Sequence, residues 1–186
     1  MVGTRTARNL EEWLQAKGQG AQVGTFAETA AFGDILVLAV KGTIAKDALA
    51  LAGPENISGK VMIDPTNPIA DAPPEDGVLP FFTDQNGSLM ESLQEAYPDV
   101  RFVKAFSSVG NPGMVNPSFE VKPSMFICGN DSDAKSDVRE ILDQFGWETE
   151  DCGGVKAARA IEPLCMLWCI PFFLNEEYGH AFKLLR

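Results

Sequence analysis

The sequence predicts an α/β protein in which a parallel sheet is covered by helices on both faces. Three observations predict it. Strand-like and helix-like patterns alternate from one end of the chain to the other. Residues 35–40 form an unbroken apolar run, Ile-Leu-Val-Leu-Ala-Val, which suits a parallel strand buried on both faces. Polar or Gly- and Pro-bearing loops follow the apolar strands at Val40, Asp64 and Phe106. Open parallel sheets hold their ligands at such strand exits.

Taken in order, residues 1–4 read as the end of a strand, and Leu10, Trp13 and Leu14 stand at helical spacing. Residues 21–25 suggest a short strand, 26–32 one or two helical turns, and 35–40 the strongest strand. A helix over 43–51 is closed by Gly53-Pro54. The strand over 61–64 opens into a loop carrying Pro65, Pro68, Pro73, Pro74 and Pro80. Ser88 with Glu91 forms a capping box for a helix bearing Met90, Leu93 and Tyr97. A strand over 101–106, a polar loop over 107–121 and a strand over 124–128 follow. Asp131 or Ser132 caps a helix with Ala134, Val138, Ile141, Leu142 and Phe145 on one face, and Gly146 stands at its C′ position. A last strand over 147–151 precedes a helical pattern from 155 to about 174. No internal repeat is present, and residues 1–186 read as one domain with a helical C-terminal segment over 155–186.

With 45% hydrophobic residues, 186 residues can bury a real core. The formal charge of -11 gives nucleic-acid binding no global support, so any anion site must be local. Cys128, Cys152, Cys165 and Cys169 follow neither disulfide nor zinc spacing, which points to a reducing cytosolic compartment. Cys165 and Cys169 read as core fillers. The N-terminus shows no signal-peptide pattern, and the longest apolar run, 165–174, is too short for a span and contains Pro171. A soluble, cytoplasmic protein is expected. The only histidine, His180, has no nucleophile or ligand set beside it, so a catalytic triad or a His metal site is not expected. Arg159 and Glu162, three apart on a helix, read as a structural pair.

The strand exits carry the candidate chemistry. At the first, Gly3-Thr4-Arg5-Thr6, with Arg8 close behind, has no acid until Glu11. In dinucleotide folds this position meets the adenine ribose: an acid there takes the 2′-hydroxyl of NAD, whereas Arg and hydroxyl residues take the 2′-phosphate of NADP. The stretch 18–24 misses the G-x-G-x-x-G spacing because Val23 replaces the third glycine, and it reads as a helix C-terminal turn. Ala39, Val40 and Lys41 end the strongest strand, where a small residue admits a cofactor to the backbone. Asn67 offers a hydrogen bond to a nicotinamide ribose, with Pro68 stiffening its loop; a plain Asn-Pro turn is the competing meaning. Phe106, Ser107, Val109 and Gly110 offer an aromatic ring, a hydroxyl and a glycine as a planar-ligand site would, or a buried strand end with a polar exit.

Taken together and in order, Gly3-Thr4-Arg5, Asp64-x-Thr66-Asn67-Pro68, the segments 104–110, 125–131 and 158–168, and the ending 180–186 resemble the NADPH-dependent coenzyme F420 reductases. The resemblance covers essentially the whole chain and rests on the ordered set rather than on any one motif. It implies a Rossmann-like fold, NADP(H) as cofactor, hydride exchange with the deazaflavin coenzyme F420, and a homodimer, with no nucleic-acid or membrane partner. It implies 2′-phosphate contacts from Thr4 and Arg5 with Arg8 as helper, and contacts near the nicotinamide from Val40, Lys41, Asn67 and Pro68. Phe106, Ser107, Val109 and Gly110 fall near the deazaflavin, and no side chain is assigned as a catalytic acid or base. Lys41 stands where relatives often carry proline. The first strand, Gly-rich loop and first helix of such a fold, a unit of about 25 residues, are expected upstream of Met1. Related reductases of a flavin or ferric acceptor, and a nonenzymatic interaction module, are the competing readings.

Overall fold

The computed structural model describes residues 1–16 and 18–186. Its strands pair only in parallel within their ladders. β1 (Val2–Gly3) pairs with β2 (Val23–Gly24). β3 (Ile35–Val37), β4 (Val61–Asp64) and β5 (Arg101–Lys104) form a second ladder, with Ile35 opposite Val61 and Val61 opposite Arg101. β6 (Ser124–Ile127) pairs with β7 (Glu148–Asp151). An antiparallel bridge between Lys104 and Cys128 ties the last two ladders together.

The period-two alternation of β4 and β5 separates two cores. Met62 and Phe102 point into one with Leu36, Leu49 and Met90, whereas Ile63 and Val103 point into the other with Ile127 and Leu142. These strands are covered on both faces, as parallel strands are. β3 corrects the expectation for residues 35–40. Its regular part is three residues long, and although Leu36 is buried, Ile35 is 40% and Val37 58% exposed. An apolar cleft of 430 Å³ lies beside it, with Val2 and Gly3 of β1 on the other side.

The helices are α1 (Glu11–Ala16), α2 (Phe26–Phe32), α3 (Ala45–Ala52), α4 (Pro54–Ile57), α5 (Leu89–Ala96), α6 (Ser132–Gln144) and α7 (Ala158–Asn175). Gly18 donates to the carbonyls of Trp13 and Leu14, so the 18–24 stretch begins as the helix C-terminal turn read from its spacing. Gly53 does more than close α3: its φ of +86° turns the chain so that Pro54 starts α4. The complete capping box belongs to Thr25 and Glu28 at α2. Ser88 caps α5 by accepting from the Glu91 N–H, but the Glu91 carboxylate accepts from the Ser88 hydroxyl instead of its backbone, so the box there is half formed. Asp131 caps α6 by accepting from the Ala134 N–H at 2.7 Å, and Gly146 has a φ of +86° as its C′ position demands.

α7 ends at Asn175, where Glu176 turns left-handed, and residues 176–186 carry no helix. The expected helical segment over 155–186 therefore stops early. The tail lies along β6 instead: the Ser124 N–H donates to the Phe182 carbonyl, and the Leu184 N–H donates to the Ser124 hydroxyl. By length and composition the helical stretch Val155–Asn175 could cross a membrane. One side of it, with Ala158, Ile161, Glu162, Cys165 and Trp168, is buried in the protein.

Candidate functional site at the strand exits

The β1 and β3 exits meet around a cavity of 530 Å³ lined by Thr4, Arg5, Val40 and Lys41, with Phe26 and Ile44 as apolar walls. Thr4 shapes its own exit, its hydroxyl accepting from the Thr6 N–H at 3.2 Å. A Cβ on Gly3 would stand 2.9 Å from the Phe26 ring, so only glycine lets the strand end lie this close to α2. Two cations thus face one cavity in a chain of charge -11. Lys41 also pairs with Asp71, both side chains being largely exposed. Arg8 is exposed on the short turn Ala7–Leu10 and does not line the cavity, and Ala39 lines the apolar cleft beside β3.

The exits of β3, β4 and β5 are locked to one another. A Cβ on Gly42 would collide with the Asn67 carbonyl oxygen, so the first two touch through a glycine. Asn67 Nδ2 donates to the Ser107 carbonyl at 2.7 Å and joins the second to the third. Its Oδ1 is buried with no partner among the described residues. Pro68 is buried, and its carbonyl accepts from the Phe82 N–H.

Phe106 adopts a φ of +62°, a conformation that costs a non-glycine residue of order 1–3 kcal/mol. Its ring packs in the second core, 6.1 Å from the Phe145 ring, and its N–H points at Met125 Sδ. The left-handed turn sends Ser107 and the loop beyond it away from the strand direction. Val109 is partly buried against the same core. Gly110 lies against Trp168, where a Cβ would meet the indole at 2.8 Å. Trp168 stacks on His180 and donates from Nε1 to the His180 carbonyl, while His180 Nε2 lies 2.8 Å from the Trp168 carbonyl. The single histidine therefore clasps the C-terminal tail to α7 behind this loop.

Beneath the loops lies a cluster that the sequence reading passed over. Lys104, fully buried at the end of β5, places Nζ 2.7 Å from Asp64 Oδ2 and 2.9 Å from Glu162 Oε1. It also donates to the Thr66 carbonyl at 2.7 Å. Burial works to depress its pKa, but the charges of Asp64 and then Glu162 outweigh it, and the ammonium is held above its ordinary value. Glu162 accepts from the Leu89 and Met90 N–H groups at the start of α5. It is therefore not paired with Arg159, as the helix spacing suggested. Arg159 makes a bidentate pair with Glu91 instead, at 2.7 and 2.8 Å. Nearby, burial pushes the Cys128 thiol up to about 12, leaving it inert at neutral pH. The available signal was an aspartate closing the apolar run 61–63 and a lysine directly after Phe102 and Val103, positions where an exposed loop residue is the default expectation.

Parallel strands with helices on both sides and a cleft at their carboxyl ends define a Rossmann-like fold. Comparison narrows it. The family "NADP oxidoreductase coenzyme F420-dependent" matches residues 1–68. The F420-dependent NADP reductase of Methanocaldococcus jannaschii is 25% identical over 164 residues, 87% of this chain and 73% of that protein. A crystal structure from Arthrobacter sp. FB24, assigned to an F420-dependent NADP-reductase, superposes with a TM-score of 0.90 at 28% identity, covering 99% of this chain and 87% of that one. An imine reductase from Streptomyces aurantiacus, 18% identical, superposes at 0.59 over 92% of this chain and 53% of its own, and shares the fold. The chain is thus similar to F420-dependent NADP oxidoreductases, by family model over residues 1–68 and by sequence and structure over most of its length.

Proposed function

We propose that the protein transfers hydride between NADPH and coenzyme F420. The observation that carries the NADPH half is the cavity shared by Thr4, Arg5 and Lys41, with no acid at the strand end to favour a 2′-hydroxyl. Arg5 and the Thr4 hydroxyl hold the 2′-phosphate in this reading, and Val40 and Lys41 line the approach to the nicotinamide half. Asn67 fits the nicotinamide ribose, because its buried Oδ1 lacks a donor that a ribose hydroxyl can supply after a small shift. Pro68 fixes its loop. Ser107, Val109 and Gly110, reached through the Phe106 turn, face the deazaflavin.

Held at these loops, the nicotinamide and the deazaflavin would themselves supply the hydride chemistry. The chain's part is to hold the rings at about 3–3.5 Å and to exclude water. No acid or base need touch the hydride, and none is assigned. A cytoplasmic location without nucleic-acid partners fits the charge of -11 and the four free cysteines, and the family resemblance adds a homodimer without membrane partners to the proposal.

The test is turnover of the full-length protein with NADPH and F420, followed by deazaflavin absorbance, beside free flavin as competitor. Reduction of F420 well ahead of flavin is expected. Faster reduction of flavin transfers the assignment to a flavin reductase, and no turnover with either acceptor leaves a nonenzymatic binding module.

A further inference from the structure

The loops assigned above to the nicotinamide and the deazaflavin have no regular structure to fix them. A single buried cation joins them. We propose that Lys104 is a positioning residue for hydride transfer: its ammonium sets the spacing between the Asn67 loop and the Ser107 loop. The proposal rests on the NADPH–F420 reading of the site.

The ammonium has three hydrogens and three acceptors, each on a different stretch of chain. Asp64 ends β4, Thr66 lies in the loop beyond it, and Glu162 belongs to α7. The contact to the Thr66 carbonyl fixes the peptide that leads directly into Asn67. Asp64 Oδ1 holds the same turn from the other side, accepting from the Thr66 N–H at 2.9 Å and from its hydroxyl at 2.5 Å. Asn67 then reaches across to the Ser107 carbonyl. Ser107 lies three residues beyond Lys104, so the contacts close a ring: Lys104, Thr66, Asn67, Ser107. Along the backbone the ring is tied down by the Lys104 N–H to the Cys128 carbonyl and the Ala105 N–H to the Asp64 carbonyl.

A buried ion cluster is weak evidence for stability, because apolar residues of similar volume commonly replace such clusters without loss. Lys104 sits between Val103 and Ala105, all three fully buried. Glu162 has an independent task at the start of α5. What no apolar residue can supply is a directed donor to the Thr66 carbonyl, and that contact is the one that reaches the site.

The test uses Lys104→Met together with Asp64→Asn in the full-length protein. The pair removes one cation and one anion, so the buried net charge is unchanged. The amide oxygen that Asp64→Asn leaves at the end of β4 can still accept from Thr66, and Glu162 keeps its contacts with α5. Lys104→Met alone strands two buried carboxylates and reports on folding. The first readout needs no nucleotide. Amide exchange over residues 65–67 and 105–109 is expected to quicken by about tenfold or more as the loops open locally, while α6 keeps wild-type protection. The second readout is calorimetry with NADPH and with 2′,5′-ADP, which carries the 2′-phosphate but no nicotinamide. NADPH affinity is expected to fall by about tenfold or more, and 2′,5′-ADP affinity to stay within about twofold, its phosphate being assigned to Thr4 and Arg5, outside the ring of contacts made by Lys104. Loop exchange at the wild-type rate overturns the role of Lys104 by itself. Equal weakening of both ligands also overturns it, since general destabilisation would act that way. Wild-type protein that binds neither ligand overturns the cofactor reading and this role with it.

Discussion

Arg5 and Lys41 come from two separate ladders, yet they line one cavity, and the chain offers little other positive charge there. Their roles differ by neighbourhood. Lys41 is shared with Asp71, whereas Arg5 follows the Thr4 turn directly. Arg5→Ala in the full-length protein is therefore expected to weaken NADPH by about tenfold or more, the scale of one charge-assisted hydrogen bond. NADH, which has no 2′-phosphate, should be nearly unaffected; equal losses measured by titration would remove the assignment. The position of Arg5 at a strand exit was legible in the sequence, because a short apolar strand end is a local signal. Lys104 and the left-handed Phe106 were not. Nothing local to a lysine says that it is buried, and a positive φ at a phenylalanine is imposed by the surrounding packing.

At the scale of elements, hydrophobic period and caps located the strands and helices, and side-chain partners were misread wherever they lay far apart in sequence. Gly146 and Asp131 are local devices, and they behave as their positions indicate. Glu91 is different. The local rule makes it a capping-box partner of Ser88, but Arg159, 68 residues away, takes its carboxylate. That pair joins α5 to α7, the same two helices that Glu162 joins beneath. The Arg159 hydrogen bonds hold the Glu91 carboxyl below its ordinary 4.5, more than burial raises it. A carboxyl depressed in the folded state stabilises above its unfolded pKa, and that contribution is lost as pH falls through the folded value. Glu91→Gln should thus lower the thermal midpoint at neutral pH, and the gap from wild type should narrow as pH drops below 4.5. A gap that stays constant from neutral pH down to about pH 3, below the ordinary carboxylate range, would show that the pair contributes nothing to α5–α7 docking.

Across the whole molecule, alternating strand and helix patterns foretold parallel strands between helices, because each segment carries its own period. They did not foretell how far the ladders would join. β1 and β2 share a register of only two residue pairs, and a two-stranded ladder of that length has little stability of its own. Between β1 and β3 lies the apolar cleft, where Val2, Ile35 and Val37 are exposed. The buried Thr29 hydroxyl, also lining it, has no partner among the described residues. Exposed strand edges of this composition invite pairing with another chain. The chain is therefore expected to self-associate through this edge. Light scattering should show species larger than one chain, growing with concentration. A charged substitution on the exposed face, Val37→Lys, should reduce the self-association without altering the far ladder of β6 and β7. A monodisperse monomer at every concentration would mean that the cleft is tolerated as it stands.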